Sequence, residues 1–149
     1  MVGKGLKLVT DNFRGATAQF ASNDLIEAVE NLEAKGRAIP DVGSRDFKTD
    51  SPGGLLFLTE LSNEETGAAG FRLEEATRGK SGAVYSKEGE LVGWLDPWGR
   101  PYRVVIADGK AAEFEWGGAL LKVEGRKIQV MSMGSDGREG TSDDVKTWD

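Results

Sequence analysis

Residues 6–32 most constrain the fold, because their apolar side chains recur at the spacing of an α-helix. Val9, Phe13, Ala16 and Phe20 step by four, three and four residues, and Leu25, Val29 and Leu32 repeat the four and three. Such a stripe lies along one side of a helix and has to be covered by another element. We read the two halves as one continuous helix over 1–36, with a small shift of phase between residues 20 and 25. A shorter helix starting at Asp24, with Glu27 completing a capping-box-like pair, is the rival reading. Gly15 weakens the helix by about 1 kcal/mol. Gly36 offers a left-handed cap, and Pro40 forbids continuation.

The charges of this helix run against its dipole. Lys4 and Lys7 sit in the first turns, and Glu27, Glu30 and Glu33 crowd the far end. A helix beginning near residue 5 is expected to open with an N-cap and acidic side chains. Their absence leads us to expect further helix upstream of residue 1.

Beyond the helix the period changes. Residues 37–93 read as a variable region of loop and short helix. Within it, "VGSRDFKTDSPGG" (42–54) is a loop and Leu55–Leu61 a short buried helix closing at Gly67, while "FRLEEATRGKSGAV" is ambiguous between a strand and an irregular segment. Residues 94–132 hold β-rich runs, "RPYRVVIADG", "GALLKVEG" and "RKIQVMSMG", separated by Asp-Gly or Glu-Gly turns. They predict an antiparallel meander, with Gly125 joining the last two runs in a tight hairpin. The expected fold class is α+β, a long amphipathic N-terminal helix packed on a small antiparallel sheet, in one domain of 149 residues.

Composition narrows the chemistry. The chain has no Cys and no His, which removes thiol and imidazole catalysis and the usual zinc sites. A net charge of −6 argues against a nucleic-acid partner. No apolar run reaches the length of a membrane span, so the chain as it stands is expected to be soluble. The acidic pairs Glu74–Glu75, Glu113–Glu115 and Asp143–Asp144 lack any sign of a pocket, and no enzyme is expected. "LDPWGRPY" (95–102) predicts a rigid corner: Asp96 accepts backbone N–H bonds, Pro97 presets φ, and Gly99 permits positive φ. Trp98 is read as pinning this turn onto a core before it is read as sugar-stacking, and at least some of Trp94, Trp116 and Trp148 are expected to be core residues.

The last segment, 133–149, carries the one candidate site. In "SMGSDGREGTSDDV" (132–145), Asp136, Glu139, Asp143 and Asp144 against Arg138 leave a net charge of −3. Such a loop is either a solvated acidic turn or a cation site. Hard oxygen donors without His or Cys select Ca²⁺ over Zn²⁺. Asp136, Asp143 and Asp144 can converge if the Gly137–Gly140 segment folds back, with carbonyls of Met133, Ser135 or Val145 completing the shell. The spacing is not that of an EF-hand.

"ASNDLIEAVENLEAKGRAIP", "LDPWGRPYRV" and "SMGSDGREGTSDDVKTW", in that order, resemble the major pseudopilins of type II secretion, from about residue 18 onward. The resemblance implies a pilin-like helix-on-sheet fold and a calcium ion in the C-terminal loop, with Asp136, Asp143 and Asp144 as ligands. It also implies a non-catalytic subunit that polymerises into a periplasmic filament anchored in the inner membrane and works with other secretion components. The chain departs from that family in lacking the apolar membrane-spanning half-helix and peptidase site. Its Arg37-Ala38-Ile39 also stands where an aromatic usually lies between the helix-ending Gly and Pro. The different readings left beside this one are a small calcium-dependent binding module, for carbohydrate or protein, and a minor pseudopilin or type IV pilin relative.

Overall fold

The computed structural model describes residues 2–63, 67–68, 71, 73, 82–107, 111–124 and 127–147, with side chains of the first helix described from Arg14 on. In chain order the elements are α1 (Val2–Ala34), β1 (Asp46–Lys48), α2 (Pro52–Leu61), β2 (Gly82–Tyr85), β3 (Leu91–Leu95) and β4 (Arg103–Ile106). They are followed by β5 (Ala111–Trp116), β6 (Ala119–Glu124), β7 (Ile128–Ser132) and β8 (Val145–Lys146).

Among the described residues the strands form three separate antiparallel sheets: a four-stranded sheet in the order β1-β4-β7-β8, and the two hairpins β2-β3 and β5-β6. This overturns the expected architecture of one long helix on one small sheet. The physical reason lies in β4 and β7. Along β4, Val104 and Val105 point to opposite faces and both are buried, and all of β7 is buried. A sheet that is apolar on both faces needs two covers. On one face Val104, Ile128 and Val130 pack with Leu25, Val29 and Leu32 of α1 and Phe57, Leu58 and Leu61 of α2. On the other, Val105 and Met131 pack with Ala112, Phe114 and Trp116 of the β5–β6 hairpin. Each fully buried aliphatic or aromatic side chain in these cores is worth about 1.5–3 kcal/mol.

The predicted single stripe along α1 is also corrected. The step from Phe20 to Leu25 is five residues, about 500° at 100° per residue, so Leu25 lies about 140° around the helix from Phe20. Accordingly Ala18, Ser22, Leu25, Ile26, Val29 and Leu32 are buried, whereas Ala16 is exposed and Phe20 is 70% exposed. The helix ends where Gly36 takes φ 73° and the Arg37 amide turns back to the Leu32 carbonyl at 3.1 Å.

The short helix starts earlier than expected. Ser51 caps α2 by accepting from the Gly54 amide at 3.1 Å, and Pro52 occupies a position that needs no N–H donor. Thr49, fully buried, then ties α2's neighbourhood to two strands. Its hydroxyl donates to the Trp94 carbonyl at 2.6 Å and accepts from the Tyr102 amide at 2.9 Å. Tyr102 in turn packs on Trp94 with ring centroids 4.5 Å apart.

The predicted hairpin turn at Gly125 lies outside the described residues, and the strands on either side of it are not partners. β6 pairs with β5, and β7 with β4 and β8. The tight turn lies instead at Gly117-Gly118, where both residues have positive φ (62° and 82°), as a two-residue hairpin matched to strand twist requires. β1, and β3 up to Gly93, fall where loop or short helix is expected, and β2 begins at the end of "FRLEEATRGKSGAV", where strand and irregular chain are both open readings. Most of "FRLEEATRGKSGAV" lies outside the described residues.

Candidate functional site

The corner between β3 and β4 is held by one carboxylate. Asp96 Oδ1 accepts from the amides of Trp98 (3.0 Å) and Arg100 (2.9 Å), and the Gly99 amide bonds the Asp96 carbonyl at 3.0 Å. Gly99 adopts φ 84°, the conformation the turn needs. The other oxygen, Oδ2, accepts from Ser132 Oγ at 2.7 Å, and Asp96 is only 2% exposed. Burial raises the pKa of its carboxyl. The Ser132 hydroxyl, the Arg100 and Trp98 amides and the Arg100 charge oppose that rise.

Ser132 is the last residue of β7, so this bond fastens the corner to the entrance of the acidic loop. Ser132 Oγ also accepts from the Gly134 amide at 3.1 Å, and Arg100 Nη1 donates to the Gly134 carbonyl at 3.0 Å. Gly134 takes φ 68°, and a β-carbon there would collide with the Asp143 carbonyl. The two ends of the loop therefore cross in backbone contact. Gly137 lies over the Arg100 guanidinium, close enough that a β-carbon would sit 2.6 Å from Cζ.

The far side of the loop rests on the β5–β6 hairpin. A β-carbon on Gly117 would lie 2.7 Å from the Cα of Gly140, a backbone-to-backbone approach that excludes side chains on both. Trp116 Nε1 donates to Asp144 Oδ2 at 2.8 Å, and the same oxygen accepts from the amides of Gly140 (2.8 Å) and Thr141 (3.1 Å). Glu139 reaches Arg103 Nη1 at 3.3 Å. Arg103 also holds Asp46 with two bonds, at 2.8 and 2.6 Å, and lies over the rings of Phe114 and Trp116.

The residues expected to hold a cation are thus divided. Ser135 Oγ donates to Asp143 Oδ2 at 2.9 Å, which brings two of them together. Asp144 is next to them in the chain but turned to the hairpin. Its Oδ1 is sealed from solvent and accepts no hydrogen bond from the described residues. Asp136 is exposed and folded back on its own turn, accepting from the Arg138 amide at 2.9 Å. That bond, with help from the Thr141 hydroxyl, lowers its pKa. Met133 is half-buried against the hairpin core, and Val145 pairs with Ser132. Among the described residues, no three acidic side chains gather into a metal-holding group.

Several residues of this site carry no motif. Nothing in the sequence marks Arg103, and Trp116 is signalled only by the alternation of "AAEFEW", whose inward residues are Ala112, Phe114 and Trp116. Trp94 and Trp116 are buried and Trp98 packs half-buried on the main core, while Trp148 lies outside the described residues. Glu113 and Glu115 are exposed on β5, and Glu74–Glu75 lies outside the described residues. Among the described residues, no helix is long and apolar enough to cross a membrane. Compared with known proteins, the chain matches no protein-family profile, no curated protein and no solved structure.

Proposed function

We propose that this chain is a non-catalytic subunit of a secretion filament of the pseudopilin kind, with its C-terminal loop as a calcium-stabilised contact surface. The observation that carries the reading is that its two most distinctive motifs meet in space. The Asp96–Gly99 corner and the acidic loop, more than thirty residues apart, are joined by the buried Asp96–Ser132 bond and by Arg100 reaching Gly134. An Asp-Pro-Trp-Gly corner followed by an acidic, Gly-rich C-terminal segment is what the resemblance rests on, and here the first holds the second in place.

The calcium part rests on Asp144. A carboxylate oxygen shut from water and without a donor is costly unless a cation answers it. All donors nearby are hard oxygens, which fits Ca²⁺. Asp143, Asp144 and the Ser135 hydroxyl would hold the ion, with backbone carbonyls of Met133 and Val145 making up the shell. Asp136, engaged with its own turn, would contribute least. The ion would neutralise the loop's charge and stiffen a surface against which neighbouring subunits pack.

Two measurements test this. Calorimetric titration is expected to show Ca²⁺ binding that Asp143→Ala abolishes and Glu139→Ala weakens only slightly, together with a higher melting temperature in calcium than in EDTA. Identical melting in both buffers removes the calcium claim. For the filament, the coding sequence immediately upstream of Val2 is expected to encode an apolar segment behind a prepilin-peptidase site. A plain secretory signal there overturns the filament reading and leaves a calcium-dependent binding module.

A further inference from the structure

Among the described residues β6 is an open edge that pairs with β5 alone, and Leu120 is 83% exposed. Six residues of unpaired strand edge are a template for another strand. The Gly117-Gly118 turn settles which backbone groups face outward. In a two-residue hairpin the flanking pair, Trp116 and Ala119, exchanges both hydrogen bonds, and hydrogen-bonded pairs then alternate along the ladder. Ala119, Leu121 and Val123 therefore turn their N–H and C=O groups toward β5. Leu120, Lys122 and Glu124 turn theirs to the open side.

An incoming antiparallel copy of β6 must oppose outward-facing residues to outward-facing residues. That leaves few registers. One sets Lys122 against Lys122 and another sets Glu124 against Glu124, and like charges directly opposed repel. A third sets Leu120 against Lys122 with Leu121 on the axis, and a fourth sets Leu120 against Leu120 and makes no charge pair. The fifth sets Lys122 against Glu124 of the second copy and Glu124 against its Lys122, with Val123 facing Val123. Only this last register makes two opposite-charge pairs. It also joins the half-buried Val123 side chains, which extend the Phe114–Trp116 core on the inner face.

We propose that β6 is the contact of a two-fold pair of this chain, in the register that places Val123 on the axis. The two hairpins would join edge to edge through Lys122, Val123 and Glu124 of each copy. The contact is isologous and closes on itself, so it stands independently of the filament reading. A Lys on an edge strand ordinarily blocks pairing. Here it opposes the register that stacks it on itself and favours the one that adds a second carboxylate to Glu113, its neighbour within the hairpin.

Sedimentation over a concentration series is expected to show a monomer–dimer equilibrium. Lys122→Glu should weaken it about tenfold or more, because two attractive pairs become repulsive ones. The double exchange Lys122→Glu with Glu124→Lys should restore it, although the new carboxylate at position 122 still faces Glu113 within each hairpin. The chain has no Cys, so single cysteines report the register directly. In the proposed pair the Val123 positions form a non-hydrogen-bonded pair with Cα atoms about 4.5 Å apart, within disulfide reach. Oxidation should therefore link Val123→Cys copies and leave Leu121→Cys copies unlinked. A chain that stays monomeric up to millimolar concentration, a double exchange that fails to restore pairing, or linking through position 121 instead of 123 would each overturn the proposal. Should Lys122→Glu not fold, the two cysteine variants decide alone.

Discussion

Replacing Asp96 separates what its charge does from what its hydrogen bonds do. Asp96→Ala removes three accepted bonds. The Ser132 hydroxyl is buried, and stranding it costs about 1–3 kcal/mol, while the two part-buried amides lose about 0.5–1.5 kcal/mol each. Relief of a buried charge offsets part of this, so we expect a net loss of about 2–4 kcal/mol. Asp96→Asn keeps Oδ1 for both amides, and its Nδ2 can donate to Ser132 Oγ, so its loss should stay below about 1 kcal/mol at neutral pH. Urea unfolding at unchanged m-value measures both. The pH dependence has a definite sign. Because burial raises the Asp96 pKa above 3.8, the folded chain holds that proton where the unfolded chain has lost it. Stability from this group is therefore fully present below 3.8 and falls as pH rises through the raised folded value. Asn does not titrate. The wild type should thus lose stability relative to Asp96→Asn across that window and run parallel to it above. Equal losses for Ala and Asn, or a wild type that gains on Asn as pH rises, would refute this account of the corner.

Thr49→Val preserves shape but strands the Trp94 carbonyl and the Tyr102 amide in the core, and should cost about 2–4 kcal/mol by chemical denaturation. Gly117→Ala and Gly118→Ala both place a β-carbon at positive φ, at about 1–2 kcal/mol each. Only the first presses on Gly140. Gly117→Ala should therefore be the more destabilising of the two by calorimetry and should weaken calcium binding, while Gly118→Ala leaves that affinity unchanged.

Legibility in the sequence follows how local the determining physics is. Gly36 and Pro40 stop α1 through contacts within a few residues, and both are visible in the string. Asp96-Pro97-Trp98-Gly99 likewise folds by bonds among neighbours. The partner of Asp96 is not visible there, because Ser132 reaches it only after β4 and β7 have paired. The face of α1 misleads for a countable reason: two short stripes look alike, and the five-residue step between them turns the helix by about 140°. The second cover of the central sheet can be inferred, since "RVV" and "IQVM" are apolar on both faces and "AAEFEW" alternates cleanly. β1, β2 and β8 are 3, 4 and 2 residues long and carry no period that a pattern can register. In the acidic loop, the residue types announce a preference for cations. Which carboxylates converge depends on Trp116, Arg100 and Arg103, whose positions come from the corner and from strands distant in sequence.

The turn of α1 has a mechanical consequence. Among the residues whose side chains are described, the first to enter the core is Ala18, yet the helix runs unbroken from Val2 to Ala34. From Ala18 to Leu32 one unbroken helix thus spans the core, so that a rotation imposed on this stretch shifts Leu25, Val29 and Leu32 together.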